Sequence, residues 1–191
     1  MRSGEEDSAH EARAAGFIAL VPNALSASRF VLAALWIALV ANDVAARAPY
    51  IVLVLAAWAT DYLDGQLARR FNVASGVGRW LDAVADVTFV LAAIVSGAAL
   101  GAVPYYIPIL IAVSFSQYAV DSILIARAGG GPIRSRLGHI GGMINYAIVI
   151  VLAVMPPPAL PGRILKELCP LIAIFYVAAI AERVWLLYRS R

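Results

Sequence analysis

Four aspartates within apolar stretches are the residues of this 191-residue chain best suited to chemistry: Asp61, Asp64, Asp82 and Asp86. One Asp at the centre of a membrane-spanning helix costs about 2.5–3.5 kcal/mol on insertion scales. Four unpaired carboxylates would therefore cost on the order of 10 kcal/mol, as much as the whole stability of many domains. Nearby arginines could neutralise the acids, but four acids at these spacings favour a bound ligand.

The spacing of the acids indicates which ligand they would hold. Asp61 and Asp64 are three residues apart and Asp82 and Asp86 are four apart, so each pair lies on one helix face. Consecutive antiparallel helices would bring the two pairs to a similar depth. Oxygen donors with no neighbouring His or Cys suit Mg²⁺ or Mn²⁺, and four carboxylates can hold two such ions. Two metal ions are a common device for displacement at phosphorus.

The composition identifies the environment in which this chemistry would take place. Hydrophobic residues make up 62% of the chain and charged residues 14%, and the mean hydropathy is +0.83. A soluble domain is about half apolar and a quarter charged. We therefore expect an integral membrane protein and exclude a soluble enzyme, a disordered chain and a coiled coil. The dispersed arginines indicate membrane topology rather than nucleic-acid binding. The single cysteine, Cys169, is predicted to be a small residue of the core.

The hydrophobic runs predict an all-α fold of six transmembrane helices after a short amphipathic juxtamembrane helix. The juxtamembrane helix covers residues 1–20, and the six-helix domain covers residues 21–191. Polar or Gly/Pro-rich breaks separate the runs. The spans are predicted at 26–42, 49–69, 77–101, 104–126, 133–155 and 165–188.

The distribution of basic residues predicts the orientation in the membrane. Twelve of the 15 lysines and arginines fall on the side that holds both termini, and three fall on the other: Arg47, Arg163 and Lys166. Positive residues favour the cytoplasmic side. We expect both termini and the acids to face the cytoplasm, in the cytoplasmic membrane of a prokaryote.

The acids belong to a longer motif, Asp61-Tyr-Leu-Asp64-Gly65-Gln-Leu-Ala68-Arg69, which is followed after eight residues by Gly78-Arg-Trp-Leu-Asp82-Ala-Val-Ala-Asp86. This motif resembles the signature of the CDP-alcohol phosphotransferases, Asp-x2-Asp-Gly-x2-Ala-Arg-x8-Gly-x3-Asp-x3-Asp, at every fixed position. The stretch Pro22-Asn23-Ala-Leu25-Ser26-Ala-Ser-Arg29 is also similar to the start of the family's first span, with Ser26 in place of the more usual Thr.

The resemblance implies transfer of a substituted phosphate from a CDP-linked donor to an alcohol, with release of CMP. It also implies homodimers and a role for each residue of the motif. The metal ligands would be Asp61, Asp64, Asp82 and Asp86, with Asp86 also the general base. Asp61, Gly65, Ala68, Arg69 and Gly78 would form the CDP pocket.

The identities of donor and acceptor are less constrained. An embedded site favours CDP-diacylglycerol as donor, although a soluble CDP-alcohol stays open. Three arginines near the junction of the fourth and fifth spans could bind an acceptor phosphate or could be solvated anchors: Arg127, Arg134 and Arg136. The small size of the chain and this basic cluster favour glycerol-3-phosphate as the acceptor. Ala83 stands where phosphatidylglycerophosphate synthases often have Pro, so inositol phosphate, serine or phosphatidylglycerol remain alternatives.

Other interpretations of the polar residues stay open. Intramembrane acids are also typical of a divalent-cation transporter. In a transporter, however, the acids are expected near the bilayer midplane, and one half of the sequence often repeats the other. A scaffold derived from the enzyme fold is a further alternative. Asp121 could border the acceptor cavity or pair with Arg127 or another arginine. Asn145 and Tyr146 are expected to form interhelical hydrogen bonds rather than site contacts.

Overall fold

The structure is a computed structural model that describes residues 2–71, 76–127, 135–154 and 162–189. These residues form an all-helical bundle, and each helix lies within a few residues of a predicted one except at the N-terminus. In chain order the helices are α1 (Arg2–Ala41), α2 (Arg47–Arg70), α3 (Gly76–Ala99), α4 (Tyr106–Arg127), α5 (Arg136–Val154) and α6 (Gly162–Arg189).

The first helix differs from the prediction because residues 2–41 form one continuous helix. The residues predicted as a juxtamembrane helix are therefore helical, but in the described backbone they continue into the first span without a break. Pro22 lies inside α1 but removes only one backbone donor, and the Ser26 hydroxyl lies 3.2 Å from the Pro22 carbonyl oxygen. The alanine-rich sequence before it has high helix propensity, so nothing local forces a break.

The helix ends follow the local sequence. Asp43, with φ of 50°, turns the chain after α1, and Gly101, with φ of 71°, turns it after α3. Glycine adopts this left-handed conformation without steric cost, which explains the end of α3. Ser135 precedes α5, and its hydroxyl oxygen accepts a hydrogen bond from the Gly138 N–H at 2.9 Å, as expected of a helix N-cap.

Small residues allow the inner helices to approach closely. Ala57, Ala85 and Ala93 are completely buried. A methyl group added at Gly97 of α3 would lie 2.9 Å from the Leu152 side chain of α5. Without a hydrophobic driving force inside a bilayer, such close packing supplies much of the association energy between helices.

The outer faces of the helices carry exposed apolar side chains, as expected for contact with lipid. Among the described residues, five segments are long and apolar enough to cross a membrane: Val21–Ala41, Gly78–Ala99, Tyr106–Ile123, Arg136–Val154 and Glu167–Arg189. α2 has 24 residues and would be about 36 Å long. Its charged residues near both ends lower its hydropathy, so it falls outside this set.

The packing order places the acidic motif inside the bundle. α1 packs mainly on α3 and α2, while α2 and α3 also contact α5. α4 packs on α6. The C-terminal turns of α2 and the N-terminal turns of α3 therefore meet beside α1. This arrangement brings residues 61–64 and 82–86 together, as the sequence predicts.

Candidate metal centre and active site

Three of the four motif acids form a compact cluster. One carboxylate oxygen from each of Asp61, Asp64 and Asp82 lies within 4.8 Å of the others. The Asp61 and Asp82 side chains are 48% and 42% exposed, while Asp64 is 6% exposed. Asp61 and Asp82 are thus accessible to a solute, whereas Asp64 is buried. The donors are all hard oxygens, which fits Mg²⁺ or Mn²⁺.

A buried arginine from α1 contacts all four acids. The Arg29 side chain has no solvent exposure. Its Nη2 lies 2.5 Å from Asp64 Oδ2 and 2.6 Å from Asp82 Oδ1. Its Nη1 lies 3.3 Å from Asp61 Oδ1 and 3.6 Å from Asp86 Oδ1. An arginine therefore does neutralise part of the charge of the acids, which the spacing of the acids made the less favoured alternative. One residue, Arg29, supplies this positive charge rather than several.

Ser26 supports the least exposed acid. Its hydroxyl donates a hydrogen bond of 2.8 Å to Asp64 Oδ2. Ser26 is 3% exposed and lies three residues before Arg29, so both side chains leave the same face of α1. Asp64 thus accepts from a neutral donor and from a cation, which fixes its orientation within the cluster.

Asp86 lies at the edge of the cluster, and α5 holds it. The Tyr146 hydroxyl donates a hydrogen bond to Asp86 Oδ1. Asp86 is not one of the three acids with mutually close oxygens, although it lies within ion-pair distance of Arg29. Its side chain is 35% exposed. Asp86 is therefore accessible beside the three-acid cluster rather than inside it.

The residues expected to form the CDP pocket lie in α2 and α3, the two helices that carry the acids. Gly65 and Arg69 are one helical turn apart in α2, and a methyl group added at Gly65 would lie 3.7 Å from the Arg69 guanidinium. Gly78 lies in the first turns of α3 and is half-buried. Ala68 lies in α2, but its side chain is outside the described part. Of this set, Gly65 and Gly78 are half-buried residues without side chains, and Arg69 is an exposed cation.

Little of the expected acceptor cluster falls within the described side chains. Arg136 is the first residue of α5 and is exposed. Arg127 ends α4, and its side chain is not described. Arg134 lies outside the described residues. An acceptor site formed by these three arginines therefore stays a prediction.

Asp121 does not border the acid cluster but pairs with a second buried arginine. The Nε of Arg183 in α6 donates a 2.8 Å hydrogen bond to Asp121 Oδ2 in α4. The Arg183 guanidinium also lies 4.8 Å from the centre of the Tyr118 ring. Of the two roles that the sequence left open for Asp121, the structure has the ion pair, with an arginine other than Arg127.

Three residues beside the acids were not assigned to the site from sequence: Ser26, Arg29 and Tyr146. Arg29 was counted among the cytoplasmic arginines, and Tyr146 was expected to pair between helices. Both expected interhelical bonds exist: Tyr146 donates to Asp86 of α3, which makes it a site contact as well, and Asn145 accepts from the Tyr176 hydroxyl of α6. The available signal in α1 was an arginine inside the predicted first span, near its start and three residues after a serine.

The chain is similar to known proteins. The sequence model of the CDP-alcohol phosphatidyltransferase family matches residues 19–185. A protein named CDP-diacylglycerol--glycerol-3-phosphate 3-phosphatidyltransferase, from Bacillus subtilis, is 26% identical over 129 residues, which cover 65% of this chain and 65% of that protein.

A second relative has a related name. A protein named "Probable phosphatidylglycerophosphate synthase", present in two strains of Mycobacterium tuberculosis, is 27% identical over 124 residues. The alignment covers 57% of this chain and 59% of the relative. The matched region thus spans less than two thirds of the length of each relative.

Proposed function

Because the chain belongs to the CDP-alcohol phosphatidyltransferase family, we propose that it transfers a phosphatidyl group from CDP-diacylglycerol to an alcohol and releases CMP. The observation that carries the proposal is the acid cluster at the meeting point of α2 and α3, formed by the same residues that match the family signature. Family membership also favours a transferase over a cation transporter.

The proposed metal ligands are Asp61, Asp64 and Asp82, joined by Asp86. A pair of ions is proposed because four carboxylates are available, and the all-oxygen donor set suits Mg²⁺ or Mn²⁺. A divalent cation bound here would neutralise the pyrophosphate of the donor and make its phosphorus more electrophilic. The exposed Arg69 would contact the CDP phosphates, while Gly65, Ala68 and Gly78 would leave room for the nucleoside.

Asp86 is the proposed general base. It would accept the proton of the acceptor hydroxyl as that oxygen attacks the lipid-bearing phosphorus. The bond between this phosphorus and the bridging oxygen of the pyrophosphate would break, and CMP would leave with the electron pair. The exposure of Asp86 and its hydrogen bond to Tyr146 support this role, because the acid is both accessible and oriented.

A lipid donor is supported by an apolar groove beside the acids. The groove lies between α2 and α5 and has a volume of about 570 Å³. Its walls include Trp58, Met143 and Ile150, and Tyr146 lines it as well. Because the Tyr146 hydroxyl contacts Asp86, an acyl chain in the groove would place its head group near the reacting atoms.

Glycerol-3-phosphate is the proposed acceptor. The names of the relatives in Bacillus subtilis and Mycobacterium tuberculosis support it, and the basic residues Arg127, Arg134 and Arg136 offer charge for its phosphate. Ala83, in place of the Pro common in phosphatidylglycerophosphate synthases, weighs the other way. We further propose a cytoplasmic-facing site and a homodimer, the latter from the family resemblance alone.

CMP release by the purified full-length protein tests the reaction. CDP-diacylglycerol and Mg²⁺ would be supplied with glycerol-3-phosphate, inositol phosphate, serine or phosphatidylglycerol in parallel. We expect release with glycerol-3-phosphate and a decrease of at least about 10²-fold in Asp86→Asn, the lower range for losing a general base. Asp43→Asn, which removes an exposed acid in the turn after α1, is the matched control and should keep full activity.

Each outcome has a distinct meaning. Release with another acceptor would overturn glycerol-3-phosphate but keep the reaction. Equal rates in Asp86→Asn and the unmodified protein would exclude Asp86 as the base. No CMP release from folded, metal-supplied protein with any of these acceptors would contradict the phosphatidyl transfer itself.

A further inference from the structure

Arg29 contacts the acids in an unusual way for an arginine. One nitrogen, Nη2, lies within 2.6 Å of carboxylate oxygens from both Asp64 and Asp82. Among the described residues, Nε and Nη1 have no hydrogen-bond partner, although both are buried. A matched arginine–carboxylate pair instead forms two parallel bonds to one acid. The guanidinium therefore lies at the centre of a ligand set rather than in a dedicated pair.

The second buried arginine provides a comparison within the same chain. Arg183 pairs with one acid, Asp121, through Nε at 2.8 Å. Its side chain is 8% exposed, so it is nearly as buried as Arg29. One positive charge there meets one negative charge. At the site, one positive charge meets four negative charges, so Arg29 neutralises only a quarter of the charge around it.

The guanidinium also lies among the carboxylates that could hold a metal ion. The three acids with oxygens within 4.8 Å of one another are three of the four proposed metal ligands, and Arg29 lies within 3.3 Å of a carboxylate oxygen of each. A carboxylate oxygen that bonds closely to Nη2 has less electron density to offer a cation. Arg29 and a divalent ion therefore share the same donors.

We propose that Arg29 is a tethered counter-cation that competes with the divalent metal for the carboxylates of Asp64 and Asp82. Before metal binds, the guanidinium holds the acids together against their mutual repulsion. When metal binds, these two carboxylates release Nη2. Arg29 is thus a positioning residue that sets metal affinity. This inference rests on the proposed function, because it assumes the same metal site.

The competition predicts opposite effects of one substitution. Arg29→Gln removes the positive charge, so the metal-free protein should lose stability, with an unfolding temperature at least about 5 °C lower. The same variant should bind Mn²⁺ with a dissociation constant roughly tenfold lower, because one like charge near the ion is removed. A residue needed only for structure would lower both stability and metal affinity.

Two further variants isolate the effect. Arg183→Gln is the matched control: it also removes a buried arginine from an aspartate, so it should lower the unfolding temperature but leave the Mn²⁺ dissociation constant unchanged. Arg29→Lys keeps the charge and should hold the dissociation constant within about threefold of the unmodified protein, because a lysine ammonium still competes as a point charge.

The measurement is Mn²⁺ binding by calorimetry on the full chain in detergent, with thermal unfolding in chelator and in Mn²⁺. If Arg29→Gln does not fold in chelator, we expect Mn²⁺ during purification to restore it, because the ion replaces the missing cation. Failure to fold in Mn²⁺, or an unchanged or weaker Mn²⁺ affinity in Arg29→Gln, would overturn the competition.

The test also separates this inference from the proposed function. If the unmodified protein binds Mn²⁺ and releases CMP while Arg29→Gln binds Mn²⁺ no more tightly, the function stands and the competition is wrong. If the unmodified protein neither binds Mn²⁺ nor releases CMP, the metal-dependent transferase is wrong, and the competition is rejected together with it.

Discussion

At the scale of single residues, Ser26 is the smallest group on which the acid cluster depends. Its hydroxyl is the neutral donor to Asp64. Replacing it with Ala leaves a buried carboxylate oxygen with one fewer partner, which costs about 1–3 kcal/mol. We therefore expect Ser26→Ala to lower the unfolding temperature and to decrease the CMP release rate several-fold.

The control for Ser26 is the residue more usual at this position in the family. Ser26→Thr keeps the hydroxyl and should retain most of both the stability and the rate. Thermal unfolding and CMP release on the same preparations would check this. If Ser26→Ala matched the unmodified protein in both measurements, the Asp64 contact would have no energetic importance.

The sequence predicted the acids of the site better than their partners. The two acids of each pair are three or four residues apart, so the sequence alone shows that they share a helix face. The pairs are Asp61 with Asp64 and Asp82 with Asp86. The Arg29–Asp64 contact joins residues 35 positions apart, and no local pattern links them. A positive residue near a cytoplasmic interface also has an ordinary topological role, which concealed the structural role of Arg29.

At the scale of helices, α5 holds the proposed base through Tyr146. We expect Tyr146→Phe to fold normally and to lower kcat for CMP release about tenfold, because Asp86 loses the bond that orients it. The Mn²⁺ dissociation constant should change less than kcat, since Asp86 keeps its carboxylate and the three mutually close acids, Asp61, Asp64 and Asp82, supply the other proposed ligands. Separate measurements of kcat and Mn²⁺ binding test this division.

Tyr176, a second tyrosine that forms hydrogen bonds involving α5, provides the control. The Tyr176 hydroxyl of α6 donates a hydrogen bond to Asn145 Oδ1 of α5, and its oxygen lies 3.2 Å from the Gly141 carbonyl oxygen of the same helix. Tyr176→Phe should lower stability through the lost α5–α6 contact while kcat stays near that of the unmodified protein. Equal decreases in kcat for both variants would mean that Tyr146 acts only through the packing of α5.

The helices themselves were predictable because short local sequences mark most of the breaks between them. Asn42-Asp43 and Gly101–Pro104 contain residues that favour turns, and α1 and α3 end at these points. The continuity of α1 was missed because hydropathy changes near residue 20 while helix propensity does not. A change from polar to apolar sequence marks the start of a membrane span, and the helix can extend beyond it.

At the scale of the whole molecule, the arginine distribution predicts the orientation of the bundle. Arg29 and Arg183 are both buried and paired with aspartates, so neither counts as an interfacial anchor. Ten of the twelve basic residues on the predicted cytoplasmic side remain, against three on the other side. The asymmetry therefore still favours the predicted orientation, and the cytoplasmic exposure of the acid cluster stays a prediction.

Cysteine labelling tests this orientation because the sole cysteine, Cys169, is buried. In a Cys169→Ser background, Asp43→Cys probes the turn after α1 and Arg70→Cys probes the end of α2; both positions are exposed. A membrane-impermeant maleimide added to intact cells should label the first variant and not the second, while lysed cells should show both. The reverse pattern would place the acids on the outer side, where a nucleotide-linked lipid made inside the cell could not reach them without crossing the membrane.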